Sequence, residues 1–384
     1  MSLLIISPHY HQETAARAIQ VRKLTEGFKN SGLEFYMATL PSPKGTSSKD
    51  SRMIELISER TRIGKNQKYN LLFDANKNIL IDFIKNNNIS TILTISTPAY
   101  SSMLGLSIKK KLPAVRLICY FSDPMPKSIL PTPYFSGPSS LLNRIKNTFQ
   151  KYQIKKVLKI ADKIIVPSIN TMKYFEKKIK ININSKTTCI PHIGGQFEEN
   201  KKYQVKADLK NTLVYFGDMH RRLSPAFIDA CKQAKEDFPD YFKGIVCYGT
   251  NNTEEFKKFL IKNNAENLVE IRSSINYLES LHLMRQSGVL LLVEANMTES
   301  PFMPSKYFDY LFANRPILAI SPIKNSLYEY YTNNDDLDIV PHVKEKIYDA
   351  INKIFKSPKK SINRKLEHLK REEIIKQYLS IIDK

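Results

Sequence analysis

The run "PSKYFDYLFANRPILAIS", residues 304–321, brings a helix start, a lysine and a lone carboxylate close together. Pro304-Ser305 predicts the helix start, with the serine as its cap, and the free N–H groups of a first helical turn attract anions. Lys306 adds positive charge at the same spot, so an anion of the phosphate class belongs just in front of Ser305. Asp309 lies four residues on, along the same helix face. An acid near a helix start suits the macrodipole. That does not explain its neighbours Tyr307, Phe308, Tyr310, Leu311 and Phe312, among which a carboxylate needs a hydrogen-bond partner. A ribose offers two adjacent hydroxyls, and its diphosphate would land on the helix N-terminus. Carboxylate and helix start together make a nucleotide grip.

Three other stretches carry groups of the same kind. In "DMHRRLSPAF" (218–227), Arg221 and Arg222 precede a helix expected from Ser224, and Gly217 before them permits a tight turn. Arginines beside a helix N-terminus suit a diphosphate; the plain alternative is a pair of surface arginines. "SDPMPKSILPTPYFSGPSS" (122–140) is a long loop of the functional or mobile kind, with Asp123 as its single acid. Asp123 is either a base or hydroxyl acceptor, or an acid opening a turn before Pro124. In "SPHYHQETAARAIQ" (7–20), His9 and His11 form an H-x-H pair with no third ligand at metal spacing, so the loop is expected to bend around a ligand. Arg17 is either within reach of a phosphate there or solvated.

Each of these groups follows a short apolar run. In the first half the runs are 3–7, 34–40, 91–96, 115–121, 163–168 and 187–191, separated by helical patterns at 14–31, 76–87, 99–111, 141–160 and 170–180. The polar stretch "GGQFEENKKYQVKADLKN" (194–211) interrupts the alternation as a linker. Strands at 212–217, 244–249, 268–272, 289–294 and 316–321 then alternate with helices at 224–237, 253–264, 276–286 and 305–313. Near-continuous apolar strands alternating with helices imply parallel sheets covered on both faces. The expected fold is α/β, with two doubly wound Rossmann-like domains at 1–197 and 212–360, a linker at 198–211, and a helix near 361–382 packing back across them. Ligands of such sheets bind outside the carboxyl ends of the strands, which places the site in the cleft between the domains.

At 384 residues the chain is long enough for two ordinary domains. No run of about 18 apolar residues is present, and "MSLLIISPHY" lacks the basic start of a signal peptide, so it reads as a first strand. Four scattered cysteines without C-x-x-C spacing fit a reducing cytoplasm and argue against zinc. The net charge of +22 is uneven. Residues 1–200 hold 30 Lys and Arg against 13 acids, a net +17, and the remainder holds 29 against 24, a net +5. Either the first half meets an anionic partner, or lysine is abundant by compositional drift.

The chain resembles the GT-B glycosyltransferases, and within them the large retaining group called family 4, in its bacterial surface-polysaccharide subset. "SPHYHQETAARAIQ" is similar to their first loop. "STPAYSSMLGLSIKKK" and "YFSDPM" are similar to the "SPP" segment and "RDPW" loop of that subset. "ADKIIVPS" and "CIPHIGG" match the segments that close the first domain. "INYLESLHLMRQSGVLLLVEA" with "PSKYFDYLFANRPILAIS" is similar to the "PSK-x-FEYLA-x-G-x-P" element. The resemblance implies that Asp309 holds the nucleotide ribose in place of a glutamate, and that Ser305 and Lys306 bind the diphosphate. It gives Arg221 or Arg222 the leaving phosphate, Gly217 a place on the donor side, Ser274 and Ile275 the base pocket, and Asp123 the acid of the "RDPW" loop. The first glutamate of the E-x7-E pair falls at Pro301, so that role is vacant or moves to Glu299. His9, His11 and Arg17 fall on the acceptor side.

The expected activity is transfer of a sugar from a UDP- or GDP-sugar to a lipid-linked or surface-polysaccharide acceptor, with retention and without a metal or other cofactor. The first domain would take the acceptor and the second the nucleotide sugar. "NDDLD" (334–338) contains the D-x-D metal signature of another glycosyltransferase fold, Asp336 and Asp338, but is expected as a surface loop. Two other classes stay open: a nucleotide-sugar epimerase of the same architecture, and a non-catalytic nucleic-acid or anion-binding protein. No zinc, RNP or recognition-helix motif is visible, so nucleic acid is not an expected partner. The basic stretch 141–160 is expected either to bind an anionic membrane surface on the cytoplasmic face, with Ile129, Leu130, Tyr134 and Phe135 dipping into it, or to cover the sheet with its apolar stripe.

Overall fold

The structure, a computed structural model, describes every residue except 1, 12–14, 42–51, 64–65, 97–98, 136, 138–139, 198–202, 220–221, 251–253, 332–335, 358–361 and 384. The first part of the chain runs β1 (Leu3–Ile6), α1 (Ala16–Asn30), β2 (Phe35–Thr39), β3 (Met53–Glu55), a β4–β5 hairpin (Ser58–Ile63, Asn66–Leu71) and α2 (Phe73–Asn86). It continues through β6 (Thr91–Ser96), α3 (Ala99–Lys111), β7 (Arg116–Phe121), α4 (Leu141–Ile160), β8 (Lys163–Val166), α5 (Ile169–Ile179) and β9 (Thr187–Cys189). The second part runs β10 (Thr212–Phe216), α6 (Pro225–Asp237), β11 (Gly244–Tyr248), α7 (Glu254–Lys262), β12 (Val269–Arg272), α8 (Tyr277–Arg285), β13 (Val289–Val293) and α9 (Ser305–Phe312). It ends with β14 (Ile317–Ile320), β15 (Leu337–Val340), α10 (Lys344–Lys356) and α11 (Arg371–Ile382).

Two parallel sheets result, ordered β3-β2-β1-β6-β7-β8-β9 and β12-β11-β10-β13-β14-β15. The fold is therefore α/β with two doubly wound units. Strand order reverses beside β1 in the first sheet and beside β10 in the second, which are the places where such sheets bind ligands. Each central strand buries both faces. Leu4 and Ile6 meet α2 to α5, while Leu3 and Ile5 meet α1 and α11. In the second sheet Leu213 and Tyr215 meet α6 and α10, and Val214 and Phe216 meet α8 and α9.

The helix expected at 361–382 is shorter: its regular part is Arg371–Ile382, preceded by a single 3-10 turn at Glu367–Leu369. Leu366 and Leu369 still belong to the second core, whereas Ile374, Ile375 and Tyr378 belong to the first. The chain thus returns to its starting unit. Part of the expected linker also packs: Leu209 is buried in the second core, and Lys206 N–H donates to the Gln286 carbonyl at 3.0 Å. "NDDLD" is not a surface loop over its described residues. Asp336 is buried and paired with Arg364 at 2.8 Å, and Asp338 sits in edge strand β15, paired with Lys353 at 2.6 Å. Among the described residues, no group of three metal-ligating side chains occurs.

Because Ile374 is fully buried in the first core, Ile374→Ala is expected to lower that unit's stability by about 2–5 kcal/mol. Chemical denaturation followed by circular dichroism checks this; an unchanged midpoint would mean that α11 does not complete the first core.

Candidate functional site

Two strand ends of the first sheet are tied by one side chain. Arg17, on the first turn of α1, donates to the Ser96 carbonyl at the end of β6 and to Asp123 Oδ2, just past β7, at 2.5 Å. Two expected site residues are thereby joined, and the Asp123 side chain remains 39% exposed toward the cleft. His9 is half-buried, its Nδ1 has no hydrogen-bond partner among the described residues, and burial followed by Arg17 lowers its pKa. His11 lies apart, beside a small cavity of about 100 Å³ lined also by Tyr10, Lys29 and Phe35.

In the second unit Gly217 turns the chain after β10 with φ of +112°, and a Cβ there would lie 2.9 Å from Lys306 Nζ. The left-handed bend requires glycine, and a side chain there would push the Lys306 amine aside. Lys306 donates to the Phe216 carbonyl and stands 4.0 Å over the Tyr215 ring. Burial, with Arg222 adding like charge, holds its pKa well below the lysine range. Arg222 donates to Tyr215 Oη at 2.7 Å, and Tyr215, with Tyr134 and Glu294, raises its pKa against burial. Arg221 lies outside the described residues. Ser305 is the first residue of α9 rather than its cap; Pro304 occupies the cap position and makes no side-chain bond.

These groups surround one cavity of about 580 Å³ between the units. Arg17, Asp123 and Lys127 line it from the first unit, and Arg222, Glu294, Ser305 and Lys306 from the second. Glu294 was not anticipated, although it is the lone acid closing the apolar run of β13. Ser321 Oγ donates to its Oε2 at 2.5 Å and Ser300 Oγ to its Oε1, while burial raises its pKa. His192 was also missed. Tyr120 Oη donates to its Nδ1 at 2.9 Å, and its Nε2–H donates to the Met303 carbonyl at 3.1 Å, so the imidazole bridges the units in its neutral form. Loop 122–135 belongs to the cleft rather than to an outer surface: Ile129 is buried, Leu130 lines the cavity, and Tyr134 packs edge-on against Phe302 at 4.9 Å.

Asp309 is buried behind the cavity wall. Its Oδ1 accepts from Lys23 Nζ and from Tyr277 Oη, each at 2.9 Å, and Lys23 also donates to the Ile193 carbonyl at 2.8 Å. The partner that an acid in apolar surroundings needs is thus supplied from the opposite unit. Ser274 is exposed and borders Gly249; Ile275 packs at the edge of the second core. Glu299 pairs with Lys177 across the units at 2.9 Å.

A scan against protein-family models finds no match, and a search among curated proteins finds none either. Solved structures do match over the whole chain. Sucrose-phosphate synthase from Thermosynechococcus elongatus is similar at 16% identity and a TM-score of 0.69, covering 100% of this chain and 98% of that one. The lipopolysaccharide outer core galactosyltransferase WaaB gives 9% and 0.64, covering 100% and 99%. The UDP-GlcNAc 2-epimerase from Methanocaldococcus jannaschii gives 12% and 0.53, covering 99% and 100%. The chain has the GT-B fold, and at these identities the likeness shows the fold alone.

Burial, with Arg17 and Lys23 adding to it, depresses the His192 pKa from 6.5 to about 4. Between those values the unfolded chain binds a proton that the native state refuses, so native stability falls as pH drops from 6.5 toward 4, by on the order of 3 kcal/mol in total. His192→Gln is expected to lack this component. Urea unfolding of both proteins at pH 7 and pH 4.5 checks it, and parallel pH dependences would refute it.

Proposed function

We propose that the chain is a glycosyltransferase that moves a sugar from a UDP- or GDP-sugar to a lipid-linked or surface-polysaccharide acceptor, with retention of anomeric configuration. The observation that carries this reading is the convergence of Arg222, Lys306 and the N-terminus of α9 on one wall of the interdomain cavity, opposite the Arg17–Asp123 pair. Glycosyl transfer releases a nucleoside diphosphate, and the charge developing on it is the main electrostatic target. Arg222 offers a held guanidinium. Lys306 is a buried amine whose ammonium form a diphosphate would restore by supplying the counter-charge. Asp123 faces the acceptor side, oriented by Arg17; His9 and His11 are assigned to the acceptor from the same unit, although neither lines the cavity. Gly217, Ser274, Ile275 and Glu299 are assigned to the donor, though none of them lines the cavity.

Asp309 is assigned to the ribose. Both contacts to it fall on Oδ1, so a ribose would take Oδ2 or displace Lys23. An epimerase is the second reading, favoured by the epimerase of the same fold noted above. Incubating nucleotide sugars without acceptor separates the two: an epimerase converts the donor and a transferase leaves it or slowly hydrolyses it. A lipid-linked acceptor would place the work at the cytoplasmic face of a membrane.

A thermal-shift screen of nucleotide sugars is expected to show stabilisation by at least one UDP- or GDP-sugar. The double variant Lys23→Met/Asp309→Ala removes the buried charge together with its partner. It is expected to fold and to bind that nucleotide about tenfold or more weakly. Equal affinity in the folded double variant, read by calorimetry, would remove the ribose role. Arg222→Ala is expected to lower kcat by about 10²–10³ with smaller change in KM.

Cationic side chains on the diphosphate wall also lead us to expect activity undiminished in EDTA. Loss in the chelator with recovery on Mg²⁺ or Mn²⁺ would overturn this.

A further inference from the structure

Helix α4 is packed only along its second half. Ile154, Val157 and Leu158 are its buried residues, set in the first core. None of residues 141–153 is buried. Over that stretch Leu141, Leu142, Ile145, Phe149 and Tyr152 are 70, 78, 59, 57 and 54% exposed. At roughly 100° per residue these five fall in one stripe along the helix, opposite the face that carries Ile154, Val157 and Leu158. The stripe is therefore not what covers the sheet. Large apolar groups gathered on one surface mark a contact, and several unpacked helical turns are marginal in water on their own.

The flanks say what covers it. Arg144, Lys151 and Lys155 border the stripe on one side and Lys146 on the other, and no acid occurs anywhere in 141–160. A helix with cations edging an apolar face suits an anionic lipid surface, where the rings and leucines enter the head-group boundary and the amines meet phosphate. Among the described residues, no helix is long and apolar enough to cross a membrane, so α4 would lie on the surface. Its chain neighbour, loop 122–135, supplies Asp123, Lys127 and Tyr134 to the cavity wall.

We propose that the exposed half of α4 docks the protein on an anionic membrane, bringing the acceptor side of the cleft to the lipid surface. The docking stands on the helix alone; its purpose, delivery of a lipid-linked acceptor, rests on the transferase reading.

Flotation of the whole chain with vesicles of phosphatidylcholine, or of phosphatidylcholine mixed with phosphatidylglycerol, tests it. Binding is expected to the anionic vesicles only and to weaken in high salt. Leu142→Asp/Phe149→Asp should lower the bound fraction about tenfold, and Lys151→Glu/Lys155→Glu should do the same through charge alone. Both variants should keep their helix content and their affinity for the stabilising nucleotide sugar. Equal recovery in the soluble fraction with every vesicle type overturns the docking, whatever the donor measurements show. So does flotation of the stripe variant equal to that of the unaltered protein. A lipid-free dimer abolished by Leu142→Asp/Phe149→Asp would assign the stripe to a second copy and overturn it as well. Failure of every nucleotide sugar to bind, with flotation as expected, would refute the transferase reading and leave the docking in place.

Discussion

Among the links between the two units, the His192 bridge and the Lys177–Glu299 pair included, one buried ion pair carries the largest energetic stake. Lys23 comes from α1 of the first sheet and Asp309 from α9 of the second, and both are nearly removed from water. An unpaired charge in such a place costs several kcal/mol, so each residue holds its site only while the other is present. Burial lowers the Lys23 pKa, and the Asp309 carboxylate is the main force opposing that. The Ile193 carbonyl and Tyr277 hydroxyl meet further hydrogen-bonding capacity, and Lys23 lies 4.7 Å over the Tyr277 ring. A pair of this kind is directional, so it fixes where α1 stands against α9. The cleft walls inherit that register, because Arg17 precedes Lys23 on α1 and Lys306 precedes Asp309 on α9.

Within the cleft the charge arrangement is unbalanced by design of the chain. Two basic groups, Arg222 and Lys306, are held close enough to oppose one another, and Glu294, the acid acting on Arg222, is already engaged by two serine hydroxyls. The wall therefore has a deficit of negative charge that an anion can fill. Opposite it Arg17 is neutralised by Asp123, so the two walls differ in character: one is prepared for charge and the other for a hydroxyl.

Much of the fold is legible because both faces of each central strand are buried, which writes the strands as unbroken apolar runs such as "LLII" and "VLLLV". Periodicity likewise marks α1 and α9. Edge elements are harder: β15 pairs on one side only and carries Asp338 in mid-strand, so it resembles a loop. The amphipathic α10 was overlooked although Ile347, Ile351 and Ile354 have helical spacing. Of the site, Arg17, Asp123, Arg222, Ser305 and Lys306 could be picked out because each follows a strand or opens a helix. Lys23 could not, since it looks like any solvated lysine and its partner lies 286 residues away. His192 and Glu294 gain meaning only from neighbours on other strands.

The passage of the chain out to the second sheet and back again has a consequence for the order of events during synthesis. Leu3, Ile5 and Phe28 are made long before α11, yet the face they form is completed by its Ile374, Ile375 and Tyr378. A unit assembled from such distant segments cannot finish as it leaves the ribosome, because its closing contacts must wait for everything between them. The second unit, drawn from one continuous stretch, can settle first. The nascent first unit then keeps an apolar face open to water for the whole interval, and a chain stopped short of α11 would display that face permanently to chaperones and proteases.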